Sequence, residues 1–340
     1  MPAKFEDVMT SLPCGLTPPT LSLHYQSTKI HYLFILQFWE LLKMTTLTLK
    51  KIKNIEISES YKKLISSSPL ATPFHNPAWL SAVALSFPNY RLAGFEYYEN
   101  SNLVGALPLF IKKKRGKLVS FPLGGYGGYV GKKIKGSIPL PHFSRYHIAN
   151  YNNLQYRSVL KKRQEVSTWV LDTKRPYDNI LSSFHYKTRN QIRKATKSGI
   201  TYKTVKKHTD VLRCYELYCD MLKKHNVHGG LKLETFTELL EKKSISFIAA
   251  DYENTIIAFS VFLFSKNEIF YWLNASDRAY SKLNATNGIL NSMVEIASDS
   301  PQIEQVNFGA VPIGNAGLKH FKERWSTVEF KYNIETGVSL

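Results

Sequence analysis

The feature that most restricts how this chain can fold is a helix-and-hairpin unit written twice. Phe95–Ile111 reads FEYYENSNLVGALPLFI, and Phe247–Phe264 reads FIAADYENTIIAFSVFLF. Each gives a short apolar strand, a Tyr-Glu-Asn turn (Tyr98-Glu99-Asn100, then Tyr252-Glu253-Asn254) and a longer apolar strand, the pattern of a β-hairpin. A helix stands before each copy. In the first, Asn76 caps and Pro77 opens a segment whose Trp79, Leu80, Val83 and Phe87 share a face. In the second, Leu212, Tyr215, Tyr218 and Leu222 do the same, and a shorter helix follows over Glu234–Lys243. Repetition on this scale predicts two related halves.

Beyond the second hairpin the spacing predicts a strand (Glu268–Leu273), a helix (Ala285–Ser298) and a strand (Gln305–Gly309). A short helix (Leu318–Trp325) follows, then an alternating last strand with Val328, Phe330, Tyr332 and Ile334 on one face. That order predicts an α/β or α+β layer fold with mixed sheets. A length of 340 residues suits two cores, here 44–173 and 174–340. The first half shows no long helix after the glycine-rich stretch Gly124–Gly131, so it is the degenerate copy. Residues 1–43 read as an extension ahead of Met44. Their apolar run, His31–Leu42, is shorter than the roughly 20 residues a spanning helix needs, and no cleavage signal follows it.

With 45 Lys and Arg against 26 Asp and Glu, the formal charge is +19. A surface so basic attracts phosphates, whether of nucleic acid, a nucleotide-linked donor or an anionic lipid headgroup, or else serves only solubility. The three cysteines, Cys14, Cys214 and Cys219, are too few to staple the chain, which predicts a reducing, cytoplasmic setting. Cys214 and Cys219 stand too close to His225 and His228 for a zinc finger, which needs about twelve intervening residues, so no metal is expected. No nucleophile elbow, His-Glu-x-x-His or dinucleotide fingerprint occurs, and metal-free acyl transfer fits what remains.

Three segments carry the candidate chemistry. In Tyr186–Ser198, Arg189, Arg193 and Lys197 stack at i, i+4 and i+8, a repulsive arrangement that suits an external anion or a solvated basic face. In Gly317–Trp325, the stripe of Leu318, Phe321 and Trp325 faces the core and Lys322 lies at its edge. There Lys322 either aims its ammonium at a developing oxyanion or lays its stem along apolar surface. The glycine stretch around Tyr126, Gly127 and Gly128 allows close backbone approach and reads as the lining of an interdomain cleft or as a tight turn.

These motifs, in order, resemble the FemAB-like proteins of the GNAT superfamily. The matches are His75-Asn76-Pro77-Ala78-Trp79-Leu80, Tyr126-Gly127-Gly128, Arg189–Ala195, and Asn307-Phe308-Gly309 followed by Gly317-Leu318, Phe321-Lys322 and Trp325. They span Met44 to the C-terminus. The resemblance implies two tandem GNAT-like domains and an acyltransferase that moves an aminoacyl group from aminoacyl-tRNA to an amine, such as that of a peptidoglycan-type precursor. By analogy, Phe321 and Lys322 sit at the transfer site, and Arg189 and Arg193 contact phosphate. Lys197, Tyr126, Gly127, Gly128, Trp272 and Asn307 complete the substrate-binding set. No permanently bound cofactor is implied. The alternatives are an acyl-CoA-dependent N-acetyltransferase and a non-catalytic protein that binds RNA or another anion, with peripheral contact to an anionic membrane. Asn307 replaces a frequent Asp, no helical-hairpin arm is present, and Lys282–Gly288 lacks the glycine-rich pyrophosphate turn, which disfavours acyl-CoA. Asp277, Glu295 and Tyr271 are the candidates for a general base.

Overall fold

The two hairpins form as their turn residues dictate. In the computed structural model, Asn100 and Ser101 take φ of 48° and 67°, and Glu253 and Asn254 take 50° and 63°. Two consecutive positive φ values make the two-residue turn whose twist matches a hairpin. The structure describes residues 47–52, 58–122, 125–134, 136–312 and 314–340. The extension expected at 1–43, like Gly124, lies outside the described residues.

In chain order, the first half comprises β1 (Thr48–Lys51), α1 (Glu59–Ser67), α2 (Pro77–Ser86), β2 (Tyr90–Glu99), β3 (Asn102–Lys112) and β4 (Lys117–Val119). Then come β5 (Val130–Gly131), β6 (Ser137–Ile138), β7 (Arg145–Asn150), β8 (Gln155–Tyr156) and β9 (Ser158–Asp172). The second half has α3 (Tyr177–Ser183), α4 (Tyr186–Lys197), β10 (Thr201–Thr204), α5 (His208–Lys224), α6 (Leu233–Leu240), β11 (Ile245–Tyr252), β12 (Thr255–Phe264) and β13 (Glu268–Ser276). It closes with α7 (Ala285–Ser298), β14 (Gln305–Ala310), α8 (Ala316–Glu323) and β15 (Val328–Ser339).

The register proves the repeat and corrects its alignment. Thr48 faces Tyr98 as Thr201 faces Asp251, and both hairpins slip register two residues before the turn, between Tyr97 and Tyr98 and between Ala250 and Asp251. Glu99 therefore corresponds to Tyr252, one position off the match of the two Tyr-Glu-Asn triplets, because the turn itself is Asn100-Ser101 in one copy and Glu253-Asn254 in the other.

The halves share one 13-stranded sheet in the order β1-β2-β3-β4-β7-β15-β9-β14-β13-β12-β11-β10, with β5 off this path against β3. Read from either end, that order is the same series of equivalent strands, except that the last strands have changed places. β9 closes the first half in sequence yet pairs with β14, while β15 pairs with β7. The two exchanged strands pair with each other from Val328↔Val170 to Ser339↔Ser158. Packing follows the same plan. Phe74 and Trp79, held at the start of α2 where Asn76 accepts the amides of Ala78 and Trp79, meet Phe270 and Trp272 at ring separations of 4.7 and 5.6 Å. Burying an aromatic such as Phe74 or Trp79 contributes about 2 kcal/mol or more of transfer free energy, so these contacts help to hold the seam. Among the described residues no helix is long and apolar enough to cross a membrane.

Candidate acyl-transfer site

β13 and β14 are parallel and pair only from Glu268↔Gln305 to Phe270↔Asn307. Beyond that point they part, and a cavity of about 880 Å³ opens between them. Its walls come from Tyr271 and Trp272 of β13, Phe308–Pro312 after the parting, and Leu318, Phe321 and Lys322 of α8. Gln164 and Val166 of β9, Tyr332 and Ile334 of β15, Thr286 and Asn287 of α7, and Phe74 and Gly125 of the first half also line it. Of the residues expected from sequence, Lys322, Phe321 and Trp272 line this one space.

Lys322 is 3% exposed. It is the most buried member of its turn of α8, whereas Leu318 and Phe321 face the cavity; the expected roles of stripe and edge are exchanged, because the helix packs through Lys322 and the following Trp325. Lys322 Nζ donates to Gly309 O at 2.7 Å and Ala310 O at 3.0 Å and stands 5.7 Å from the centre of the Trp169 ring. No carboxylate pairs with it among the described residues, and burial lowers its pKa to about 7. Gly309 makes this possible: its φ is +79°, and a Cβ there would lie 3.2 Å from the Phe270 ring and 3.8 Å from Nζ.

The turn at Gly309 is fixed from below by Asn307, whose Oδ1 accepts from Gly309 N at 2.9 Å and from Thr168 Oγ1 at 2.6 Å. The Asn307 amide donates to Tyr126 Oη at 2.7 Å and Glu268 Oε2 at 3.2 Å, while the Tyr126 hydroxyl donates to Glu268 Oε1 at 2.6 Å. Glu268 is buried, and desolvation raises its pKa against the pull of its three donors, Tyr126, Asn307 and Gln305. The departure at Asn307 thus has a local cause, since a carboxylate there would confront Glu268 in the core. Tyr126 and Asn307 support the cavity floor and join the two halves rather than line the space. Glu268, Thr168, Gln164 and Tyr332 were not legible as site residues, for each looks in sequence like an ordinary strand position.

Gly127 and Gly128 lie inside the first half. Gly127 bridges Asn150 as a parallel partner and exchanges hydrogen bonds with Ala149 and Tyr151. Gly128 O accepts from His75 Nε2 at 3.0 Å, and His75 Nδ1 accepts from Thr72 N at 2.9 Å. His75 is thereby held neutral, its pKa lowered to about 4 chiefly by burial.

The basic helix α4 lies outside the cavity wall. Arg189 Nη1 donates to Ser182 O at 2.9 Å and to Phe184 O, capping α3; Arg193 reaches Asn190 at 2.9 Å, and Lys197 is exposed. Gln191 links α4 to Asn287 on the cavity rim at 3.3 Å. Of the base candidates only Tyr271 lines the cavity, and burial raises its pKa, which suits a donor better than a base. Asp277 is ion-paired to Arg213 at 3.1 Å, and Glu295 is exposed.

A parted parallel pair, a helix beginning at the gap and a continuous sheet shared by two related halves define the architecture. Residues 182–323 match the family described as the acetyltransferase (GNAT) domain. No curated protein matches the chain. Among solved structures, FemX matches with a TM-score of 0.58 at 11% identity, over 84% of this chain and 96% of that one. L-PGS from Bacillus licheniformis gives 0.55 at 14% identity over 85% and 94%, and a conserved protein of unknown function from Bacteroides thetaiotaomicron gives 0.55 at 12% over 86% and 100%. The GNAT match covers residues 182–323, and over the whole chain the likeness to FemX and L-PGS is one of fold, as the FemAB-like resemblance implies.

Proposed function

We propose that this protein transfers an aminoacyl group from the activated ester of an aminoacyl-tRNA to an amine, of the kind a peptidoglycan-type precursor carries, with Lys322 as the catalytic cation. The observation that supports this most is a buried lysine with no carboxylate partner among the described residues, tethered to two carbonyls at the wall of the central cavity. The neutral amine attacks the ester carbonyl, a C–N bond forms, and the carbonyl electron pair moves to oxygen. Two N–H groups of Lys322 are held by Gly309 and Ala310, and the third stabilises that oxyanion in a low-dielectric setting. The C–O bond then breaks, and the alcohol leaves with the proton that the amine gives up. Phe321 and Trp272 exclude water and position the acyl group.

Acyl-CoA is a second donor reading, favoured by α7. Thr286 and Asn287 of its first turn line the cavity, and the side chain of the preceding Asn284 caps none of the helix's amides. Those amides suit a pyrophosphate. The test presents labelled aminoacyl-tRNA and acyl-CoA side by side to the purified protein and to Lys322→Met. Label reaching an amine from one donor and only with Lys322 intact supports that donor; no transfer from either, or full transfer by Lys322→Met, removes the proposal.

A further inference from the structure

We propose that one end of the central sheet is a docking surface for an anionic lipid bilayer. Three neighbouring strands finish together there, with Arg145 of β7 opposite Val338 of β15 and Val338 opposite Leu160 of β9. At this rim Phe143 is 85% exposed, Leu160 68%, Val159 58% and Leu340 47%. Phe143 also holds a φ of 53°, a costly conformation for a bulky residue. The neighbouring Ser144 is tied to Ser339 in both directions at 2.9 and 3.0 Å, so the backbone is held in place while the ring stays in solvent.

The cations gather at the same end. Lys112 of β3 pairs with Lys117 of β4, and the turn between them is Lys113-Lys114-Arg115-Gly116. β4 starts beside β7, where Leu118 faces Tyr146. Lys113, Lys114, Arg115, Lys117, Arg145 and Lys162 have no ion-pair partner among the described residues. The side-chain carboxylate closest to the rim in register, Glu335, is buried and already bound by Lys161 and Arg163 at 3.2 and 3.1 Å. Like charges opposite one another in a sheet are destabilising unless something external neutralises them.

Cations surrounding exposed aliphatic side chains match a surface with negative headgroups over hydrocarbon. A nucleic acid would be served by stacking rings, and beside Phe143 and the neighbouring His142 the exposed apolar side chains of this rim are aliphatic. A second copy of the chain would bring the same positive charge. Placement adds a consequence: Leu160 and Lys162 share a face of β9 with Gln164, which lines the cavity, so a bound bilayer would lie along the approach to Lys322.

Flotation of the full chain with phosphatidylcholine vesicles, with and without about one third phosphatidylglycerol, tests this. Association is expected only with the anionic vesicles. Lys113→Gln with Lys114→Gln and Arg115→Gln should lower the partition at least about tenfold. Phe143→Ser with Leu160→Ser should lower it several-fold at unchanged charge. All five side chains are exposed, so circular dichroism should show intact folds. Lys194→Gln with Lys197→Gln on α4 should leave vesicle binding unchanged. Failure to float with anionic vesicles overturns the proposal, and so does binding that survives both rim variants. It is also overturned if the rim binds RNA, indifferent to the Phe143→Ser and Leu160→Ser changes, while vesicles stay unbound.

Discussion

The two halves start from the same unit and treat the same gap in opposite ways. β4 and β7 pair at Leu118↔Tyr146 and Val119↔His147 and then part, as β13 and β14 do after Phe270↔Asn307. In the first half the gap is filled: Gly127 enters as an extra parallel partner of Asn150, with the Tyr126 ring stacked 4.0 Å from Tyr151. In the second half no such partner enters among the described residues, α7 stands at the mouth, and a lysine is placed beside the opening. On the proposed function, one copy has become scaffold and the other keeps the reactive space. Substitutions in the first half should therefore cost stability and spare turnover, and those around the open gap should do the reverse.

The largest effect is expected from Lys322→Met. Loss of an oxyanion donor should lower kcat/KM about 10² to 10³-fold, while the melting temperature stays level or rises, because a desolvated cation is replaced by an apolar chain of similar size. A parallel fall in melting temperature and activity would make Lys322 structural and blur the contrast. Its ionisation sharpens the test. With the native pKa near 7 and the unfolded value at 10.5, the unfolded state binds more protons between those limits, so stability should rise with pH across that window in the wild type and not in Lys322→Met. Turnover should move the other way, declining as pH passes about 7 and the ammonium is lost, when measured with an acceptor amine that is already neutral.

Gly128→Ala comes next. Its φ is +95°, and a Cβ would lie 2.8 Å from the Tyr156 hydroxyl, so a loss of about 2 to 4 kcal/mol in denaturant unfolding is expected, with kcat unchanged below the transition. A comparable loss of kcat would mean that the filled gap takes part in transfer.

His75 should give an acid-sensitive stability. Its pKa falls from 6.5 unfolded to about 4 native, so the neutral ring's contribution is complete above about pH 6.5 and is lost as pH drops towards 4, in total about 3 kcal/mol. Unfolding midpoints measured across that range should slope in the wild type and flatten in His75→Gln. The smallest effect is expected from Arg193→Ala with Lys197→Ala: a few-fold weaker donor binding and a shallower salt dependence, since both are exposed and outside the cavity. Arg189 is a poor probe of the same question, because its guanidinium caps α3 and its loss would disturb the fold.

Much of this architecture was present in the sequence because its causes are local. A hairpin is written in the alternation of its strands and the turn residues between them, and α2 in the capping Asn76 and the Pro77 that follows; both depend on neighbours a few positions away. The repeat and the mixed α/β layers were legible on that basis, and Lys322 stood out as a candidate beside an apolar stripe. The exchange of β9 and β15 was not, because a strand's own pattern says which face is buried and not which distant strand will sit beside it. Glu268 shows the same limit: nothing in its neighbourhood marks it, and it matters only because Tyr126 and Asn307 arrive from elsewhere in the chain. Tertiary structure also decided that Arg189 serves an internal helix end, that Gly127 fills a gap, and that Lys322 is buried at a cavity wall. Burial and charge environment are properties of what the fold brings together in space, and the order of residues along the chain records them only indirectly.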